Sequence, residues 1–160
     1  MKVAKTIRHK ILNHSSIFDE TIRVYNEALS FIIEVIDHEV ADTNTYSTKE
    51  MTNLMERLIH ATKSNPNPKY TEFNQRFYKF PSYFRRAAIA TAFGKVKSYR
   101  SLRENWETEK QVALENGRKF NKQLPTKRLT HKEFPVLYKG NMFKRTSDTT
   151  AFVKAFVKND

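Results

Sequence analysis

The chain lacks cysteine altogether and has only three glycines among its 160 residues. Without cysteine it can form no disulfide, perform no thiolate chemistry and hold no cysteine-ligated zinc. So few glycines leave no glycine-rich loop of the kind that wraps phosphates. No apolar run approaches the roughly 20 residues that a membrane span needs, and the charged first residues are unlike a signal peptide. We therefore expect a cytoplasmic protein without a membrane partner.

Catalytic and metal-binding patterns are also missing. Glu34, Asp37 and Glu39 are close in sequence, but they fall in one helical row, where acidic residues are usually solvated. The five histidines have none of the spacings at which a helix presents two metal ligands. No serine comes with a recognisable base or oxyanion hole. The sequence predicts no catalytic residue and no metal site, so an independent enzyme is the least favoured hypothesis.

Acidic residues are scarce in the second part of the chain, and this makes the charge uneven. Residues 1–62 hold 7 basic and 9 acidic residues, a net charge of −2. Residues 63–160 hold 22 basic and 8 acidic residues, a net charge of +14, which gives the whole chain its +12. Such an imbalance indicates a polyanionic partner for the second part, and nucleic acid is the simplest polyanion for a cytoplasmic protein.

Two amphipathic helices are predicted in the first part. The pair Ser16 and Asp19 forms a capping-box pattern, and apolar residues then recur every three or four positions. A second box at Ser47 and Glu50 precedes a shorter helix, and the brief polar break between them favours an antiparallel pair. The hypothesis that this pair, residues 16–62, is a module for docking a protein partner remains open.

A long helix is predicted from Pro81 to Leu114, and Asn116 with Gly117 marks its left-handed end. Its apolar residues form one stripe, and the side chains that project opposite the stripe are Arg86, Phe93, Lys97 and Arg100. This face is predicted to hold phosphates, with a merely solvated basic face as the alternative. Arg85, about 100° around the helix from Arg86, suits either packing or a phosphate contact.

Aromatic and basic residues alternate in two other stretches. Within residues 70–83 the candidates for binding nucleic acid are Lys79 and Tyr83, and within residues 138–145 they are Lys139, Asn141, Lys144 and Arg145. Lysine and arginine neutralise phosphates, rings stack on bases, and Gly140 allows a close backbone approach. The alternative for the rings of Phe77, Phe80, Tyr83 and Phe84 is that they belong to the core.

Strands are predicted at both ends of the chain, so the expected fold class is α+β. Residues 1–12 have an alternating, β-branched pattern, and residues 127–129, 135–138 and 151–157 are strand-like. The last of these is apolar on much of both faces, which is typical of a central strand or of one that awaits a partner. We expect self-association through this unfinished sheet edge.

Several of these stretches together resemble a known family. Residues 80–90, FPSYFRRAAIA, residues 94–101, GKVKSYRS, residues 138–145, YKGNMFKR, and residues 150–154, TAFVK, are similar to the N-terminal part of TnpB-like proteins. These are transposon-encoded, RNA-guided nucleases of the OrfB type, related to type V CRISPR effectors. The resemblance covers roughly residues 77–157.

The resemblance implies a specific architecture and function. Residues 1–12 would be the first strand of a wedge-like antiparallel β-barrel, residues 13–117 a helical recognition insertion, and residues 118–160 the remaining, incomplete strands. The RuvC-like nuclease domain, and the Mg²⁺ that it binds, would be absent, so no cofactor is expected. The chain would then be the part of a nucleoid-associated bacterial nuclease that binds guide RNA and target DNA through backbone shape.

Overall fold

Four α-helices and one short β-hairpin form the regular structure of residues 10–12, 15–127 and 133–157, which the computed structural model describes. The helices are α1 (Ser16–Glu39), α2 (Thr48–Ile59), α3 (Glu72–Arg76) and α4 (Ser82–Glu115), with a 3₁₀ turn at Thr43–Thr45. The strands are β1 (Phe143–Arg145) and β2 (Ala151–Val153), which pair in antiparallel fashion.

The predicted partial β-barrel is wrong. Helices hold 55% of the described residues, and the two strands of three residues each form an unclosed sheet. Residues 135–138, predicted as a strand, are not paired to another strand but lie against the helices, and Pro135 lacks the N–H that a sheet ladder requires. Most of the predicted first strand, residues 1–9, and residues 128–129 of another lie outside the described residues.

Both predicted capping boxes precede helices, but only one has the expected contacts. At α2 the Glu50 N–H donates to Ser47 Oγ over 3.3 Å, and the Ser47 N–H donates to the Glu50 carboxylate over 2.8 Å. This confirms the second box. The first is wrong by one position, because Ser15 caps α1 by accepting from the Ile17 N–H.

The first half of helix α4 lies at the centre of the core. It packs against α1, α2 and the 3₁₀ turn, so it is covered on more than one side. Phe84, Ala88, Ala92 and Val96 are buried, as the apolar stripe predicted. Phe93 is buried as well, at 5% exposure, and the prediction that it projects with the cations is therefore wrong.

Aromatic rings fill the space between α1, α3 and the start of α4. Phe73 and Phe77 have ring centroids 4.9 Å apart, and Phe31 contacts both edge-on. Phe80 continues the chain of contacts to Phe84. These rings belong to the core, which settles the alternative for Phe77, Phe80 and Phe84 in favour of packing.

The C-terminal segment, residues 133–157, is docked onto the helices by side chains of α1. The buried Asn26 amide donates to the Glu133 carbonyl over 2.9 Å and accepts from the Glu133 N–H over 3.0 Å. Thr21 Oγ1 accepts from the Phe156 N–H over 3.0 Å, and the Phe156 ring meets Phe80 edge-on. A buried amide that satisfies both backbone groups of one residue fixes the start of this segment.

The second half of α4 extends beyond the core, and most of residues 97–115 are exposed. Trp106 holds the returning chain to it, because its indole N–H donates to the Lys122 carbonyl and its ring meets Phe120. The helix ends at the predicted place: Gly117 has φ +62°, and the Arg118 N–H donates to the Ala113 carbonyl. This is the Schellman arrangement of a left-handed helix end.

Gly94 lies inside α4, yet nothing lies within 4 Å of the position that a β-carbon would occupy. Glycine costs a helix interior about 0.5–1 kcal/mol relative to alanine. We predict that Gly94→Ala raises the free energy of unfolding by about that amount in urea titrations. Gly117→Ala is the matched control and should lower it, because Gly117 has a positive φ. A destabilised Gly94→Ala variant would contradict this account of α4.

Candidate nucleic-acid interface

The residues predicted to bind nucleic acid fall into three groups. Two are beside α2 at the start of α4, three are in the middle of α4, and the rest are in the turn before α4, in its first turn or on the hairpin. The three groups are Arg85 and Arg86; Phe93, Lys97 and Arg100; and Lys79, Tyr83, Lys139, Asn141, Lys144 and Arg145. The single cationic row predicted along α4 is therefore not continuous.

Glu56 of α2 is the acidic partner of both arginines in the first group. Arg85 is only 6% exposed, and its Nη2 donates to Glu56 Oε2 over 3.0 Å. Arg86 is more exposed, but its Nε lies 3.8 Å from the other oxygen of the same carboxylate. Buried and paired, Arg85 serves packing, which is one of the two roles that its position allowed.

Arg100 caps the C-terminal end of α1. Its Nη1 donates to the carbonyls of Val40 and Ala41 over 2.6 and 3.0 Å, and its Nη2 donates to the Asp37 carboxylate over 3.1 Å. Lys127 bonds to that carboxylate as well. A cation at a helix C-terminus satisfies unpaired carbonyls and complements the helix dipole. The guanidinium is thus committed to the fold.

Lys97 is the exposed member of the middle group. It has no acidic partner in the part of the chain that the structure describes, and its ammonium lies 5.9 Å from the Phe93 ring. It lines a groove of about 580 Å³ together with Asp42 and Glu104. Arg100 lines it too, so two cations face two acidic side chains and the groove has no net positive charge to attract a polyanion.

A cluster of polar side chains at the end of α1 also joins the elements of the fold. The hydrogen bond from Lys69 lowers the pKa of the Glu39 carboxyl to about 2, and Tyr70 and His38 contribute further to this shift. Burial raises the pKa of Tyr70 to about 12, and its hydrogen bond to Glu39 adds to the rise. The cluster fastens the loop before α3 to α1, so we assign it a structural role.

Exposed basic and aromatic side chains lie together on the hairpin. Lys144 lies directly opposite Phe152 in the register of β1 and β2, so the two side chains share one face. Lys154 follows Phe152 by two residues and is exposed like Lys144. Phe152 is 72% exposed. We call these three residues, Lys144, Phe152 and Lys154, the outer face of the hairpin.

The turn that precedes β1 adds Lys139 and Asn141, both exposed. Gly140 has φ +82°, and the Tyr138 carbonyl accepts from the N–H groups of Asn141, Met142 and Phe143. A tight turn of this kind fixes the position of its side chains relative to the strand.

The remaining candidates of the third group have partners. Arg145 donates to the carbonyls of Ser147 and Asp148 over 2.8 Å each, so it is used within the hairpin itself. Tyr83 joins the hairpin to α4, because its ring lies 5.5 Å from that of Tyr138. The ammonium of Lys79, in the turn before α4, lies 5.0 Å from the ring of Tyr78.

Phe152 and Lys154 were missed as candidates by the sequence interpretation. Both lie in residues 151–157 and share one face of the predicted strand, but the stretch is predicted to be a central strand or one that awaits a partner. The structure ends β2 at Val153, and β2 has no second neighbour among the described strands. The short strand leaves the Phe152 face open to solvent.

Neither a metal site nor a membrane-spanning helix is found within the described ranges. No group of three or more histidine and acidic side chains there could hold a metal ion. None of the helices in the same ranges combines the length and apolarity that crossing a bilayer requires.

We predict that Arg100→Ala lowers the free energy of unfolding by about 2 kcal/mol, because the variant strands carbonyls and a carboxylate at the end of α1. Lys97→Ala, one turn away and exposed, should change it by less than about 0.5 kcal/mol. Urea titration followed by circular dichroism measures both. If Arg100→Ala were as stable as the wild type and lost nucleic-acid affinity instead, Arg100 would be a phosphate contact and not a cap.

The Glu39 cluster predicts a pH dependence. Because the pKa of Glu39 is lowered from 4.5 to about 2, its contacts contribute full stability above about pH 4.5 and lose it as the pH falls towards 2. Glu39→Gln should therefore show a smaller drop in urea midpoint between these two pH values than the wild type. Glu34→Gln, at an exposed position of α1, should follow the wild-type profile. Identical profiles for all three proteins would contradict the role of Glu39.

Comparison with known proteins gives one match. A family model, that of the Aq_aa04 family, matches residues 5–157. No curated protein and no solved structure matches the chain. The family match carries no link to TnpB-like proteins, so that resemblance stays a prediction. The matched range includes all four helices and the hairpin, and on this match the chain belongs to the Aq_aa04 family.

Proposed function

We propose that this protein binds nucleic acid, and that the outer face of the hairpin and the turn before it are the contact surface. The observation that carries the proposal is an exposed aromatic ring flanked by lysines that have no acidic partner in the described part of the chain. Lysines supply affinity for phosphates, and an open ring supplies a surface for a base.

Charge pairing favours the hairpin over α4. On α4 the arginines at 85, 86 and 100 lie against Glu56 or Asp37. Lys95 is likewise paired, with Glu133 over 2.7 Å. On the hairpin, Lys139, Lys144 and Lys154 are exposed and are not in any ion pair of the described residues. A cation that is already paired must lose its partner before it binds a phosphate, whereas a free lysine gives up only water and counterions.

The contacts of the hairpin would give affinity for nucleic acid without a preference for particular base sequences. Each lysine that meets a phosphate releases about 0.7–0.9 of a condensed counterion, so a few such contacts give weak, strongly salt-dependent binding. Contacts of this kind position a protein on nucleic acid without identifying bases. We propose no catalytic step for the hairpin, because its lysines and its phenylalanine form neither a nucleophile–base pair nor a set of metal ligands.

The resemblance to TnpB-like proteins suggests what the nucleic acid is. Residues 138–145 and 150–154, which carry part of that resemblance, form most of the hairpin. A role in holding guide RNA and target DNA for an RNA-guided nuclease, in the cytoplasm near the nucleoid, would suit a hairpin that contacts phosphates. The predicted barrel is wrong, however, so the proposal is supported by the hairpin surface and not by the architecture of that family.

A helical module for docking a protein partner is the competing hypothesis, and it would need an exposed apolar patch on residues 16–62. Within that range, Ile17 is the only large apolar side chain that is exposed, at 42%. A single exposed residue is ordinary for a soluble surface and does not mark an interface. The surface of α1 and α2 therefore gives this alternative little support.

The test is fluorescence anisotropy of labelled RNA and DNA with two charge-matched variants. Replacing Lys139, Lys144 and Lys154 by alanine should weaken binding at least tenfold and reduce the slope of log K against log salt by about 2, since three phosphate contacts are lost. The control replaces Lys49, Lys63 and Lys119, which are exposed elsewhere. It carries the same net charge of +9, three below the wild-type +12.

The control variant should bind almost as the wild type does. Equal weakening by both variants would show that only total charge matters, and no binding by the wild type would contradict the proposal outright.

A further inference from the structure

We infer that the hairpin binds single-stranded nucleic acid, with the Phe152 ring stacked on an unpaired base. This inference rests on the proposed function and gives it a substrate class. It follows from the exposure of Phe152, from its lack of a ring partner and from the lysines on both sides of it.

Phe152 is the most exposed ring of the hairpin segment, at 72%, against 36% for Phe143 and 38% for Tyr138. Phe156 packs on Phe80, and Tyr138 packs on Tyr83. Phe152 makes no aromatic contact with any described residue, and 72% of it is open to solvent. Nothing in the described fold uses this ring, so its apolar surface is available to a ligand.

The neighbours of Phe152 suit a nucleotide chain. Lys144 is its cross-strand partner, with β-carbons about 5 Å apart in such pairs. Lys154 comes directly after β2, where its N–H donates to the Met142 carbonyl over 2.9 Å, and it is two residues from Phe152, about 7 Å at the rise of an extended chain. Phe152 therefore has one exposed lysine opposite it and another two residues after it. A base stacked on the ring would have its flanking phosphates within reach of both lysines.

A single strand fits this surface better than a duplex. In a duplex, neighbouring bases already cover each base's faces, and its backbone needs only cations. A ring gains stacking energy only where a base face is free, as in a loop, a bulge or an unpaired strand. Phe152 would add nothing to duplex binding, whereas Lys144 and Lys154 would bind both forms.

An anionic membrane surface also attracts lysines and rings, but the hairpin fits it less well. Surface attachment requires a broad apolar face, typically that of an amphipathic helix. The outer face offers one ring between two lysines.

The experiment uses the full chain and its Phe152→Ala variant. Anisotropy is measured with a labelled RNA single strand of about 12 nucleotides, within the usual site sizes, with the DNA strand of the same sequence, and with the corresponding duplex. Phe152→Ala should weaken binding of both single strands about tenfold, which corresponds to the ordinary value of one base–ring stack. Binding of the duplex should change less than twofold.

Two further variants make the result specific. Phe134→Ala removes a ring of the same 72% exposure that lies outside the hairpin, and it should leave all affinities unchanged. Phe152→Trp should keep or increase single-strand affinity, and its added indole fluorescence should be quenched by the single strand but not by the duplex.

The outcomes separate this inference from the proposed function. If Phe152→Ala affected single strands and duplex alike, or neither, while the triple lysine variant weakened both, the inference would be overturned and the proposed function would stand. Loss of affinity in Phe134→Ala equal to that in Phe152→Ala would also overturn it. Binding to phosphatidylglycerol vesicles but to no nucleic acid would overturn both.

Discussion

The enclosure of the first half of α4 determines which cations of this protein reach solvent. Helices α1 and α2 and the 3₁₀ turn all pack on it. Arginines on such a helix are close to other elements and must be neutralised there, because an unpaired charge at low exposure is costly. Glu56 and Asp37 meet that need. Arginines of the most basic stretch of the sequence therefore lie in ion pairs, and the described lysines without an acidic partner lie mainly outside α4.

The hairpin is free of this constraint because it sits at the surface, anchored by few contacts. Asn26 and Thr21 bind the backbone at its two flanks, and Met142 is buried beneath it. These anchors hold the ends of the segment while the outer face remains open. An anchored segment with an exposed basic and aromatic face suits a binding surface, since less of the chain then has to be ordered on binding.

The sequence predicts where the helices lie, but it does not predict which elements pack against them. The spacing of apolar residues, the box at Ser47 and the glycine at 117 predicted where helices run and where α4 ends, because these signals are local. Which sides of α4 are covered depends on tertiary packing, so periodicity placed Phe93 on the wrong face. The pairing of Arg100 with Asp37 joins residues far apart in sequence, and no local pattern indicates it. The predicted β-barrel is wrong because a strand-like segment can also lie against helices, as residues 135–138 do, without pairing with another strand.

The central claim is that nucleic acid meets the hairpin and not the basic side of α4. Amide chemical-shift mapping in two-dimensional NMR tests it most directly, with a single-stranded RNA titrated into the full-length chain. The account predicts that the perturbed amides cluster at residues 139–154, while those of residues 85–100 stay in place. Shifts concentrated around Arg86, Lys97 and Arg100, with the hairpin unaffected, would contradict it.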